Sequence, residues 1–222
     1  MENKKQVIVV IGPPGSGKGT QTEMLAAKFN LNDFEMSKII EEHFNNAGSD
    51  DTVLIDERRK WANGDLVSPE LVLQWMLEKV GIIRDLKDGI IFSGNPRSIF
   101  EAHGLFPILE KYYGKENIKV INIELNEEES IKRNSTRRIC VANRHPIPNF
   151  EEFINIDKCP KDGSAITTRP LDNPKVIKER YHIYLQKTLP ILDFLKERGY
   201  EIIHVNGEQT IDKVQESILA KL

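Results

Sequence analysis

The chain has 222 residues, 39% hydrophobic and 29% charged, which suits one globular domain with a small insertion rather than two independent cores. A formal net charge of −3 excludes a bulk positive field that would gather nucleic acid or anionic lipid, so any phosphate binding must be local. Two cysteines, Cys140 and Cys159, are too few for an extracellular disulfide framework and are expected as thiols or metal ligands.

The apolar stretch after Lys5 and Gln6 is only five residues long, too short for a signal peptide or a membrane span. A cytoplasmic location with no membrane partner is therefore expected. Gln6 to Ile11 is a β-branched run that ends in a glycine cluster, and Gln21 to Phe29 then carries apolar residues at helical spacing. Strand, turn and helix in that order open a βαβ unit. Asn32 to Glu35 predicts a short second strand, and Ile90 to Ser93, Ile118 to Leu125 and Glu201 to Val205 predict three more buried ones. Helical stretches between them imply an α/β fold with a five-stranded, mostly parallel sheet covered on both faces.

Two segments interrupt that rhythm. Met36 to Val80 holds two or three helical stretches without a strand, and Arg138 to Arg169 is rich in Pro, Asn and Asp with little periodicity. Both read as insertions over an active face. The run Asn126-Glu127-Glu128-Glu129 lies between a strand and a helix, where Asn caps the helix and the glutamates complement its dipole.

Gly12-Pro13-Pro14-Gly15-Ser16-Gly17-Lys18 fits the P-loop pattern Gly-x-x-x-x-Gly-Lys and lies where the mechanism needs it, between a buried strand and a helix. Glycines let the backbone curl so that N–H groups face a polyphosphate, and the helix adds its positive end. Lys18 offers a mobile charge to the terminal phosphates. The usual Ser or Thr directly after the lysine is displaced, because Gly19 intervenes before Thr20. A triphosphate nucleotide is expected on Gly15, Ser16, Gly17, Lys18, Gly19 and Thr20.

The loop continues as Lys18-Gly19-Thr20-Gln21, which resembles the adenylate-kinase form of the P-loop. Leu66-Val67-Ser68-Pro69-Glu70-Leu71-Val72 is similar to that family's segment against the acceptor nucleotide, and Gly94-Asn95-Pro96-Arg97 to its Asp-Gly-Phe-Pro-Arg motif. Arg133, Arg137 and Arg138 match arginines that enter the family's lid; Thr167-Thr168-Arg169 and Arg180 match those that leave it. The resemblance covers the whole chain in order.

It implies a single domain: a core of residues 1–35, 81–137 and 170–222, a nucleoside-monophosphate-binding insertion at 36–80, and a mobile lid at 138–169. It implies reversible transfer of the γ-phosphoryl group of ATP, with Mg2+, onto AMP. Lys18, Arg97, Arg137, Arg169 and Arg180 would surround the transferred group. Arg133 would stack on the donor adenine beside Arg137, and Met36, Trp61, Val67, Gly94, Arg97 and Glu101 would form the acceptor site. Small nucleotides are then the binding partners, and a single kinase unit of this length is expected as a monomer.

Several acceptor-site positions depart from the family. Glu41 replaces an arginine for the acceptor phosphate, so it points elsewhere or Arg58, Arg59 or Lys60 takes that role. Ser93 replaces the aspartate that organises water around magnesium, and Glu101 replaces the glutamine that reads adenine. A carboxylate only accepts hydrogen bonds and could take the two donors of guanine. An altered base choice such as GMP is thus one alternative; a weakened nucleotide-binding regulator is another. Many bacterial relatives carry zinc in the lid, and here Cys140, His145, Cys159 and Asp162 supply a candidate ligand set, since Asn143 is a poor ligand where a cysteine would stand.

Overall fold

The computed structural model describes residues 5–143, 145–147, 151–168 and 172–222. Strand β1 (Gln6–Ile11) leads through the glycine loop into helix α1 (Lys18–Phe29), and β2 (Asn32–Phe34) follows. Three helices come next: α2 (Met36–Asn46), α3 (Thr52–Ala62) and α4 (Pro69–Ile83). The alternation resumes with β3 (Gly89–Ser93), α5 (Ile99–Tyr113), β4 (Ile118–Glu124) and α6 (Glu127–Ser135). After a small irregular unit, a long helical arm runs through α8 (Pro174–Ile183), a π-helical turn (Tyr184–Thr188) and α9 (Pro190–Glu197), before β8 (Ile202–Asn206) and α10 (Ile211–Leu219).

The five long-range strands form one parallel sheet in the order β2-β3-β1-β4-β8. Both faces are covered, which explains why β1 reads as an unbroken apolar run rather than an alternating one. Val7, Val9 and Ile11 face the larger core with α4, α5 and α9, while Ile8 and Val10 face the smaller one with Leu25 of α1 and Val214 and Ile218 of α10. The three-helix segment is no separate core: Ile39, Phe44, Trp75 and Val80 belong to the same cluster as Val7 and Phe92. Helix α4 also runs past residue 80 to Ile83, so it bridges insertion and core as one element.

The segment between α6 and α8 is more ordered than its composition predicts. Among its described residues β5 (Arg138–Cys140) pairs antiparallel with β6 (Pro146–Ile147) and with β7 (Ile166–Thr168), and a one-turn helix, α7 (Glu151–Ile154), precedes β7. Cys140, Ile147 and Cys159 form its own small core, with Phe153, Ile156 and Ile166 against them. The start of α6 is capped as the sequence predicts: Asn126 accepts the Glu129 N–H at 2.8 Å, and the three glutamates form the first turn.

Candidate active site

The phosphate loop closes the C-terminal end of β1, the expected position for a ligand crevice in a parallel sheet. Its shape depends on glycine at two points. Gly15 has φ +77°, and a Cβ there would lie 2.4 Å from Asn134 Nδ2; a Cβ on Gly12 would lie 2.5 Å from the Ile123 carbonyl. Helix α6 therefore presses on the loop, and Ser130 Oγ fixes it further by donating to Pro14 O at 2.7 Å. Gly17, at φ +91°, stands at the N-cap of α1 and turns Lys18 into the first helical position.

A cavity of about 490 Å³ opens in front of this loop. Lys18, Gly94, Arg97 and Arg180 line it together with Trp61, so residues from four distant stretches of sequence converge. Lys18 Nζ donates to the carbonyls of Gly12 and Pro13, both at 2.7 Å. Burial, followed by the positive charges of Arg97, Arg180 and Arg137, pulls the Lys18 ammonium down to a pKa of about 7. A half-buried group of cations that repel one another is a site prepared for an anion of high charge.

Arg137 is held in a two-pronged pair with Asp172, at 2.9 Å through Nε and 2.7 Å through the terminal nitrogen. Arg180 approaches the same carboxylate at 3.9 Å. Asp172 was not legible as a site residue, being a lone acid in a turn, yet it spaces two of the cationic groups. Arg133 does not line the cavity; it donates to Glu129 at 2.8 Å and to Gly207 O at 2.8 Å. Arg169 lies outside the described residues.

The predicted acceptor residues divide. Trp61, Gly94 and Arg97 line the cavity, and Trp61 is braced edge-on by Phe44 with ring centres 5.8 Å apart. Met36 and Val67 are buried at 2% and 3% exposure in the large core, and it is their neighbours Ser37 and Leu66 that line the cavity. Glu101 is likewise absent from the lining: its carboxylate is buried at the start of α5, accepting the Arg97 N–H at 2.8 Å and the Ser98 hydroxyl at 2.9 Å. Glu41 does not line the cavity, and Arg59 and Lys60 pair along α3 with Asp56 and with the buried Glu57. Thr188 and Tyr184, from the π-helical turn, line it instead, and sequence pattern gave no signal for them.

The model of the family described as adenylate kinase matches residues 10–200 of this chain. The chain is 33% identical to an adenylate kinase of Methanothrix thermoacetophila over 217 residues, 95% of each chain. It is also 33% identical to one of Bacillus subtilis over 211 residues, 93% of each chain. The chain belongs to the adenylate kinase family. The five-stranded parallel sheet and the glycine loop are the P-loop kinase fold of that family. Among the described residues no helix is long and apolar enough to cross a membrane.

In this adenylate-kinase fold the small β5–β7 unit reaches the site as well. Ile139, Val141, Thr167 and Thr168 line the same cavity, and Lys161 pairs with Glu23 of α1. Within the unit, ligand atoms of Cys140, His145, Cys159 and Asp162 all lie within 4.8 Å of one another. Hydrogen bonds from the Ser164 hydroxyl and the Asn143 amide hold the Asp162 carboxyl well below the usual carboxylate range. Asn143 donates to Asp162 Oδ2 at 2.9 Å, so this residue, unsuited as a ligand itself, orients a carboxylate that could serve as one.

Proposed function

We propose that this chain is a nucleoside-monophosphate kinase that transfers the γ-phosphoryl group of MgATP to AMP and gives two ADP. The observation that carries this reading is the convergence of Lys18, Arg97 and Arg180 on one cavity at the mouth of the phosphate loop. Phosphoryl transfer asks little covalent chemistry of the protein but needs two polyanions held in line, with charge spread over the moving group. The loop from Gly15 to Thr20 and Lys18 hold the β and γ phosphates, and Arg97 holds the acceptor phosphate. Arg137 and Arg180, spaced by Asp172, complete the field, and the resemblance assigns Arg169 to the same task. An oxygen of the acceptor phosphate attacks the γ phosphorus, the bond to the β–γ bridging oxygen breaks, and ADP leaves with that electron pair. Magnesium is part of the MgATP substrate.

The core comprises 1–35, 81–137 and 170–222, with 36–80 as the acceptor-binding insertion and 138–169 as a lid. Lid residues on the cavity wall serve to exclude water, which would otherwise take the phosphoryl group. AMP is the acceptor; the carboxylate of Glu101 is engaged away from the cavity and gives no support to a guanine site. Initial rates of diphosphate formation with AMP, GMP, CMP and UMP test this: AMP gives the highest kcat/KM, and a higher value with any other monophosphate contradicts it.

The low proton affinity of Lys18 makes nucleotide binding pH-dependent. Above pH 7 the group is largely neutral in the free protein, and a polyphosphate that lands on it restores the charge. Binding of ATP at pH 8 therefore takes up close to one proton, and at pH 6 close to none. Calorimetry in two buffers of different ionisation enthalpy reads this directly, and buffer-independent heats at pH 8 would contradict it.

We further propose that the lid holds one structural Zn2+ on Cys140, His145, Cys159 and Asp162. Two thiolates, an imidazole and a carboxylate at this spacing suit four-coordinate zinc, and the ion would tie β5 to the turn after Cys159. Purified protein carries zinc near one equivalent. Its removal by a chelator lowers the melting temperature by about 10 °C, roughly 3 kcal/mol for a domain of this size. Absence of the metal from native and reconstituted samples, or an unchanged melting curve, contradicts the site.

A further inference from the structure

Glu101 takes the place at which the family reads the acceptor base, but its surroundings give it different work. The residue is 2% exposed. An ordinary capping box links the acid at the third helical position to the N–H of the N-cap residue, which here is Ser98. Ser98 does its share, accepting the Glu101 N–H at 3.2 Å. The carboxylate instead reaches one residue further back and takes the N–H of Arg97 at 2.8 Å, while the Ser98 hydroxyl donates to its other oxygen at 2.9 Å. Asn95 also hydrogen-bonds this carboxylate through its side chain.

Arg97 is pinned from its other side as well. Its carbonyl accepts the Thr188 hydroxyl at 2.9 Å, and its Nε donates to Gly94 O at 3.0 Å. Both peptide groups of Arg97 and the base of its guanidinium are thus fixed, leaving the terminal nitrogens toward the cavity that Arg97, Gly94 and Thr188 line. A carboxylate as buried as that of Glu101 is costly without partners, and the Arg97 N–H and the Ser98 hydroxyl supply them.

We infer that Glu101 is a positioning residue that aims Arg97 at the acceptor phosphate and does not read the acceptor base. This rests on the assignment of Arg97 to the acceptor phosphate. Disturbing Glu101 then weakens every acceptor in proportion, whatever its base, because the shared phosphate contact is what is lost.

Three variants test it, with binding of AMP, GMP and ribose 5-phosphate measured by calorimetry and KM values for ATP and AMP by initial rates. Glu101→Leu weakens AMP, GMP and ribose 5-phosphate alike by about tenfold or more, with the ATP KM within about twofold of wild type. Glu101→Gln, whose amide can accept from Arg97 and donate to Ser98 Oγ, restores all three to within about threefold. Ser98→Ala, which removes the helix cap but leaves the Arg97 contact, lowers the melting temperature without moving AMP affinity.

A tenfold change in the AMP to GMP ratio in Glu101→Gln, with ribose 5-phosphate unaffected, would show base reading and overturn the inference. So would equal losses of AMP and ATP, or a Ser98→Ala effect on AMP as large as that of Glu101→Leu. If Glu101→Leu does not fold, Glu101→Ala takes its place with the same expected losses, and the AMP to GMP ratio in Glu101→Gln still decides whether the base is read. Binding is read apart from turnover, so a wild-type protein that binds ribose 5-phosphate but forms no ADP would fail the proposed activity and leave the role of Glu101 to be judged on its own.

Discussion

Replacing Lys18 with methionine lowers kcat for ADP formation by about 10³-fold while leaving the melting temperature unchanged or raised. The two halves of that expectation have different origins. The rate falls because the group that meets the β and γ phosphates is gone. Stability holds because the native protein bears a cost for this lysine: burial and the charges of Arg97, Arg180 and Arg137 bring its pKa from 10.5 to about 7. A shift of that size means a few kcal/mol against the protonated form, which matches or exceeds the roughly 1–3 kcal/mol lost when the Gly12 and Pro13 carbonyls lose their donor. The cost is present in full below pH 7. Between pH 7 and 10.5 the unfolded chain keeps a proton that the native chain has shed, so this group's contribution to stability improves as pH rises. The melting temperature of the variant therefore exceeds that of the wild type by more at pH 6 than at pH 9. Circular dichroism melts at the two values check this, and a variant clearly less stable at pH 6 would contradict it.

Arg97→Met raises the KM for AMP by about 100-fold and leaves the KM for ATP within about threefold, the loss expected for a charged hydrogen bond at a buried phosphate. Arg97→Lys recovers little of this, because a lysine cannot reproduce a planar two-pronged contact and its shorter donor reach would leave Gly94 O without the Nε bond. Steady-state kinetics with each substrate varied in turn separates the two sites. An ATP KM that rises as far as the AMP KM would mean that Arg97 supports the loop rather than the acceptor.

How far the sequence could be read depends on how long each element is. The central strands of the parallel sheet carry runs such as Val7 to Ile11 and Ile118 to Ile123, long enough to declare themselves, and the spacing of glycines before Lys18 places the phosphate loop between strand and helix. The small antiparallel sheet escaped detection because its strands have two or three residues and its core is made of Cys140, Ile147 and Cys159, which leaves no hydrophobic period. Near the acceptor, two residues that the resemblance puts in the site, Met36 and Val67, are buried beside residues that line the cavity. Met36 and Val67 turn into the core, and Ser37 and Leu66 turn to the cavity, because which of two neighbours faces inward depends on tertiary packing rather than on motif.

Glu101 teaches a different point. Ser98-Ile99-Phe100-Glu101 has the form of a capping box in the sequence itself, so the carboxylate's engagement at the helix start could have been read there, had the position's role in related proteins not suggested a ligand. Thr188 and Tyr184 had no such signal. They reach the cavity through a π-helical turn that shifts the phase of the arm between Arg180 and Pro190, and no pattern of apolar residues marks that shift.

The destination of the γ phosphate of ATP is the most direct readout of the proposed transfer. Catalytic amounts of the protein, incubated with magnesium, AMP and ATP labelled in its γ phosphorus, convert the label to the β position of newly formed ADP, with two ADP made for each ATP consumed. Label released as inorganic phosphate at the same rate with or without AMP, or AMP left unconsumed while ATP is spent, would contradict it.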